Sequence, residues 1–187
     1  MRRKGHHKTP PDKSGGVAVW DPWLRIYHWS LAASVLTAWF TANVFDKVHE
    51  YAGYTVIGLL VFRLVWGFAG PPYARFRKLV FSPQAVLRYL RAIALRKPHR
   101  YLGPNPAGAA MAIVLLFLLV VVSVTGWMAL TVTFFGNTVV ENLHTWSGDA
   151  IFILAIVHIA GVLLMCVLLR ENLPWAMVTG RKRKQGR

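Results

Sequence analysis

Four long apolar runs, separated by polar segments, dominate the pattern of this 187-residue chain. They cover residues 24–45, 51–70, 107–131 and 147–169. A helix needs roughly 20 apolar residues to cross about 30 Å of hydrocarbon, so each run predicts one membrane-spanning helix. The pattern therefore predicts an all-α, multi-pass membrane protein whose four helices form a bundle within residues 20–170.

The two ends of the chain are polar. Residues 1–19 are rich in Gly, Pro, Lys and His, which is typical of a disordered arm. Residues 171–187 form a basic tail, and residues 172–180 within it have the composition of a short surface helix. Neither end is expected to contribute to the bundle.

The segment 71–106, between the second and third runs, is more than a linker. Ser82 followed by Pro83 is a helix start, because serine caps the first turn and proline fits the first helical position. Residues 84–95 then alternate apolar and basic side chains. We expect an amphipathic helix on the membrane surface, with a fully solvated helix as the alternative.

The positive charges predict the topology. The chain has 22 Lys and Arg but only 7 Asp and Glu, a formal net charge of +15. Nearly all the basic residues lie in the arm, the segment 71–106 and the tail, whereas the two opposite loops carry only Lys47. Cytoplasmic segments of membrane proteins are enriched in Lys and Arg, so both termini are expected to be cytoplasmic. The charge fits attraction to membrane lipid rather than to nucleic acid.

Four histidines lie in or beside the apolar runs: His28, His49, His144 and His158. An imidazole in a bilayer is costly and usually has a partner or a ligand. His144 and His158 are 14 residues apart, close to four helical turns, so they share one helix face about 21 Å apart. The alternating directions of the spans pair His28 with His158 near the inner side, and His49 with His144 near the outer side.

Two separated histidine pairs favour two six-coordinate b haems with axial imidazole ligands on the iron. The rival is a zinc or copper transport site, but such sites favour carboxylate or thiolate companions. Only Glu50 and Asp149 qualify as companions, and both are expected near the outer surface. The single cysteine and the lack of a C-x-x-C-H motif argue against covalently attached haem.

Glycines accompany the candidate ligands. Gly53 follows His49 by four residues, and Gly148 and Gly161 follow the two histidines of the last run by four and three. A glycine one turn from a ligand lets a flat macrocycle approach the helix. It can equally allow two helices to pack closely, which is common in membranes. Both interpretations stay open at this point.

Two arginines accompany the candidate ligands as well. Arg63 is 14 residues from His49 on the same predicted helix face, and Arg25 precedes His28 by one turn. Each arginine can pair with a haem propionate near the inner pair. Each can instead extend along the helix so that its charge reaches the membrane surface.

Several short motifs resemble those of one membrane family. The matching stretches are VWDPWLRIYHW at 19–29, HEYAGY at 49–54, FRLVWG at 62–67, YLGPNPAG at 101–108, LHTW at 143–146, VH at 157–158, RENL at 170–173 and MVTGRK at 177–182. In this order and spacing they resemble the bacterial cytochrome b561 group, which includes the b-type cytochrome subunits of nickel–iron hydrogenases. The resemblance covers roughly residues 18–184.

The resemblance implies a four-helix bundle of the bacterial inner membrane with two b haems. The residues that it assigns to the haems are His28, His49, His144 and His158 as axial ligands, with Arg25 and Arg63 in matching motifs. It implies an electron-transport protein of the respiratory chain, working between the quinone pool and a redox partner such as a c-type cytochrome or a hydrogenase. A quinone site is expected near the two arginines.

Two alternatives follow from the same resemblance, and whether the protein is itself an oxidoreductase is left open. Some small family members oxidise superoxide and reduce quinone, and Lys47 is the only basic residue on the outer side to support that activity here. Others are membrane-anchor subunits of a hydrogenase or another redox enzyme.

Overall fold

The computed structural model describes residues 16–183, and most of them are helical. In chain order the elements are β1 (Gly16–Ala18), α1 (Pro22–Thr41), α2 (Asp46–Ala69), a short 3-10 helix (Phe76–Lys78), α3 (Pro83–Ala94), α4 (Pro106–Ala129), α5 (Thr138–Leu169), α6 (Leu173–Thr179) and β2 (Arg181–Arg183). The prediction of an all-α protein is confirmed, apart from the two three-residue strands.

The starts of several helices follow from one local signal, a capping residue followed by proline. Asp21, Ser82 and Asn105 each directly precede a proline, and each side chain accepts a hydrogen bond from the backbone N–H three residues on. The cap satisfies a donor that the helix leaves unpaired, and proline has no N–H to satisfy. The amphipathic helix predicted over 84–95 is α3.

Among residues 16–183, three helices are long and apolar enough to cross a membrane: α2, α4 and α5. Three of the four predicted spans are therefore present as such. The helix α1 is also 20 residues long, about 30 Å, but it contains Arg25, His28 and several hydroxyl side chains. Its length fits a span, and its composition is less apolar than that of the other three.

Two helices begin earlier than the apolar pattern predicts. The start of α5 is Thr138, nine residues before the predicted 147, because the Asn137 side chain accepts hydrogen bonds from two backbone N–H groups of the first turn. Likewise α2 starts at Asp46 rather than 51. Helices continue through the polar membrane boundary, where the apolar pattern stops. As a result His49 and His144 lie inside helices rather than beside them.

The four long helices share one buried cluster in the middle of the structure. Val56 of α2, Leu119 of α4 and Ile151 of α5 are buried against one another, and Leu31 and Val35 of α1 pack on them. In addition α1 pairs with α2, α4 pairs with α5, and α2 contacts α4. Most large apolar side chains on the outside of the helices are exposed, as expected for surfaces that face lipid.

The first and last described segments of the chain meet at one end of the helices. The strands β1 and β2 pair antiparallel, with Val17 opposite Lys182, and the backbone N–H groups of Val19 and Trp20 donate to the carbonyl of Gly180 at 2.9 and 3.1 Å. Residues 16–18 form β1, so the disordered arm predicted over 1–19 does not include them. The surface helix expected over 172–180, within the basic tail 171–187, is present as α6. Residues 1–15 of the arm and 184–187 of the tail lie outside the described range.

A buried ion pair joins the segment before α4 to the segment after α5. Arg100 donates from Nε and Nη2 to the two carboxylate oxygens of Glu171, at 3.1 and 2.7 Å. The same Nη2 donates to the carbonyl of Arg183 at 2.6 Å. Lys182 Nζ donates to the carbonyl of Tyr101 at 3.2 Å. Three segments distant in sequence are thus fixed together at this end.

The charges in this cluster have shifted acidities. Burial alone would raise the pKa of Glu171, but the hydrogen bonds and charge of Arg100, with the charge of Lys182, outweigh it and hold the pKa below its usual range. Burial lowers the pKa of Lys182, against the opposing effect of Glu171. Glu171 is therefore ionised at neutral pH, and its pairing with Arg100 stabilises the fold.

We expect Glu171→Gln to lower the free energy of unfolding by roughly 3 kcal/mol, because it leaves Arg100 buried without its counter-charge. The measurement is thermal unfolding in detergent. The Glu171 pKa is lowered on folding, so its stabilisation is present above about pH 4 and is lost as the pH falls below that. The difference between wild type and variant should therefore shrink in acid. The exposed Glu141→Gln serves as control, and an equal effect of both would contradict this role of the pair.

Candidate functional site

The inner pair of predicted ligands lies between the first and last long helices. His28 on α1 and His158 on α5 are half-buried, and their ring centroids are 6.5 Å apart with the ring planes inclined at 60°. Within the described residues, neither ring takes part in a hydrogen bond. The two imidazoles thus face a shared space without bonding to each other.

The outer pair lies between α2 and α5. The rings of His49 and His144 have centroids 5.9 Å apart and planes at 82°. The helix α5 therefore presents one histidine to α1 and another, about 21 Å away along its axis, to α2. These are the two neighbour pairs expected from helix direction and spacing. Their role as iron ligands stays a prediction.

Backbone carbonyls fix the orientation of the outer rings. Nδ1 of His49 lies 2.8 Å from the carbonyl oxygen of Ala38, and Nδ1 of His144 lies 2.9 Å from that of Val122. A carbonyl oxygen can only accept, so Nδ1 carries the proton and donates it. The lone pair of each neutral ring is then on Nε2, free for a metal. Metal-ligating histidines are commonly held in this way.

The ring separations suit two imidazoles on opposite sides of one metal ion. A ring nitrogen lies about 2 Å from its metal, and the ring centre lies about 1 Å beyond the nitrogen, so opposed ligands have centroids about 6 Å apart. The observed 5.9 and 6.5 Å agree with this value. Within residues 16–183 no group of three or more His, Cys, Asp or Glu side chains is arranged to hold a metal ion. Each pair therefore offers two ligands, as an axially ligated haem requires.

Space for a flat group exists beside the ligands. A Cβ atom added at Gly53, Gly148 or Gly161 would meet nothing within 4 Å. If these glycines allowed two helices to pack closely, atoms of a neighbouring helix would lie within 4 Å of the added Cβ. No described residue lies that close, so the three glycines are not at close helix contacts. The open space is compatible with room for a macrocycle, which stays a prediction.

Gly126 on α4 is a site residue that the sequence pattern does not reveal. A Cβ atom there would lie 2.8 Å from Cε1 of His144, so any residue other than glycine would displace the imidazole ring. The two residues are 18 positions apart and on different helices. Their contact depends on how α4 and α5 pack, which local spacing does not encode.

Arg63 is buried, with 6% of its surface exposed, so the alternative that its side chain extends to the membrane surface is not what the structure shows. Its Nη1 donates to the carbonyl of Ala74 at 2.9 Å, and its guanidinium lies 4.5 Å from the ring centre of Phe76. Arg63 thus holds the segment after α2 against the inner end of the helices. Pairing with a haem propionate stays a prediction.

Arg25 joins the first helix to the last one. Its guanidinium donates to the carbonyl of Val178 on α6, while Nε is buried without a partner among the described residues. Nearby, Asp21 accepts from Trp66 Nε1 at 3.2 Å, and the Tyr27 hydroxyl is buried without a described partner. An open groove of about 640 Å³ lies beside this cluster; it is lined by Pro22, Arg25, Ile26, Trp29, Ser30 and Val178.

Helices that cross a membrane and bring imidazoles together in pairs define a class of protein, the membrane cytochromes with b-type haem. Residues 19–180 match the family described as prokaryotic cytochrome b561, and the chain belongs to that family. Membership makes it a membrane-embedded b-type cytochrome that transfers electrons. No curated protein and no solved structure matched the chain.

The open space at Gly53 leads to a direct test. We expect Gly53→Val to reduce the haem content from about two per chain towards one, because the new side chain enters the space beside His49. Gly58→Val is the matched control, since Gly58 has the same open surroundings but lies on the opposite face of α2, nine residues from His49. Haem content is measured against protein concentration in purified samples. Retention of both haems in the Gly53 variant would show that the space there is not a haem site.

Proposed function

We propose that this protein carries electrons across the bacterial inner membrane through two b haems, between the quinone pool and a redox partner protein. The observation that carries the proposal is the position of two histidines on one face of α5, each beside a histidine of another helix. One helix thereby supplies a ligand at two depths. Two sites at different depths provide a route across the membrane rather than a single reaction centre.

The proposal requires α1 to be a fourth membrane span. Three observations support this. The helix α1 is about 30 Å long, it contributes Leu31 and Val35 to the central cluster of α2, α4 and α5, and its Trp39 stacks on Phe152 of α5 at 4.4 Å. Ligation of a haem by His28 would further fix the position of α1 in the bundle. The four helices would then form a bundle with a haem between α1 and α5 and another between α2 and α5.

The orientation follows from where the basic segments lie. The pairing of β1 with β2 and the Arg100–Glu171 ion pair bring residues 16–18, the segment before α4 and residues 171–183 to the same end of the helices. Among the described residues this end holds most of the Lys and Arg, so we assign it to the cytoplasm. His28 and His158 are then the inner pair, and His49 and His144 the outer pair.

The residues of the chain have separate tasks in this proposal. His28 and His158 would ligate the inner haem iron, and His49 and His144 the outer one. The carbonyls of Ala38 and Val122 keep the outer rings in the ligating tautomer. Each haem, when bound, supplies an iron that accepts and releases one electron. With two histidines at each site to hold the haem, the group would supply electron transfer rather than a binding position for substrate.

The groove beside Arg25 and Trp29 is the candidate quinone site. It opens at the inner end, where Arg25 and Ser30 provide polar groups beside apolar walls. Superoxide oxidation at the outer end has less support, because Lys47 is ion-paired with Glu50 at 3.0 Å and does not present a free positive charge. Electron carriage between quinone and a partner protein is therefore the function that we propose.

The pyridine haemochrome spectrum of the purified protein tests the cofactor. We expect about two b haems per chain. His158→Ala should remove the inner haem and leave about one, and His144→Ala should remove the outer haem and likewise leave about one. A single haem in the wild type, or no loss in either variant, would reject the assignment. Circular dichroism of each variant shows whether the helices persist.

A further inference from the structure

The helix α3 is anchored to the rest of the protein through one face. Tyr89 is 4% exposed, its hydroxyl donates to the carbonyl of His99 at 3.1 Å, and its ring meets the edge of the Tyr101 ring at 5.5 Å. Burial raises the pKa of Tyr89 to about 12, so this donor stays protonated. In addition α3 contacts α4, whose first residue is Pro106. The helix is therefore held next to the inner end of a membrane span.

A second face of α3 is apolar and uncovered. Leu87 is 69% exposed and Leu90 is 48% exposed, and three residues of separation place them side by side on the helix surface. Val80 before the helix and Leu95 after it are 73% and 65% exposed. Leu87 and Leu90 thus form an apolar strip on α3, which contacts the membrane span α4, and further exposed apolar residues lie before and after the helix.

A third face is positively charged. Arg88 and Arg91 each follow one of the strip leucines by one residue and are exposed. Within the described residues, neither has a hydrogen bond or an ion pair. The whole segment 71–106 contains eight Lys and Arg and no Asp or Glu. Glu171, the carboxylate bound to this segment, is already paired with Arg100. Arg88 and Arg91 are therefore available to bind an anion from outside the chain.

We propose that α3 is a binding site for anionic phospholipid of the leaflet that it faces. Leu87 and Leu90 enter the boundary of the acyl chains, and Arg88 and Arg91 bind lipid phosphates. The guanidinium fork suits phosphate, and a basic amphipathic helix gains from apolar burial and from headgroup charge together. An acidic protein surface would match the arginines but would leave the apolar strip uncovered. The site depends on membrane location and not on haem ligation, so its test is separate from that of the haems.

The test uses the purified haem-loaded protein in vesicles that contain a trace of spin-labelled lipid. Electron paramagnetic resonance reports the relative affinity of labelled phosphatidylglycerol and labelled phosphatidylcholine for the protein surface. We expect the wild type to prefer phosphatidylglycerol at low salt. Arg88→Gln with Arg91→Gln should lower the preference at the α3 site, by roughly fivefold per arginine. An unchanged haem spectrum shows that the fold is intact.

The matched control is Arg77→Gln with Lys78→Gln, which removes the same charge from the preceding 3-10 helix and leaves α3 itself unchanged. An equal loss of preference in control and test variants would overturn the site, since it would show a general surface potential. A second measurement places a spin label at Leu87→Cys in a Cys166→Ser background. The label should be accessible to oxygen and shielded from a water-soluble nickel chelate. Accessibility to the chelate would exclude lipid contact and point to a soluble acidic partner instead.

Discussion

Placing a polar imidazole within a membrane is costly unless the ring gains a partner, and the helix α5 carries two such rings. This constraint explains much of the structure. His144 and His158 point from one face of α5 towards different neighbours, so α5 must lie against both α2 and α1. The carbonyls that accept from the outer rings, Ala38 and Val122, belong to α1 and α4. All four long helices are thereby tied to the positions of these rings.

The inner end of the protein is organised by a second requirement, the burial of charge. Arg63, Arg100, Glu171 and Lys182 are largely buried, and each one has a specific acceptor or counter-charge. Their bonds join the segments between and beyond the helices. The charges that remain exposed, such as Arg88 and Arg91, face outwards. Buried Lys and Arg thus stabilise the structure, and the exposed ones are those that we propose to contact lipid.

Sequence periodicity was sufficient to predict the long helices and the neighbour of each histidine, because both depend on regular helix geometry. The amphipathic helix α3 was predictable from its cap and its alternation. The starts of α2 and α5 were not, because the helices continue into polar residues under the control of local caps such as Asn137. The contacts of Gly126 with His144 and of Arg100 with Glu171 join residues distant in sequence. They depend on packing, which a single sequence does not display.

The central claim is that each histidine pair holds one haem iron. An experimental structure of the purified, haem-loaded protein tests it most directly. The account predicts iron between His28 and His158 and between His49 and His144, with Nε2 of the outer rings directed at the metal. Iron ligated by any other side chain, or a histidine pair with its rings bonded directly to each other and no iron between them, would contradict it.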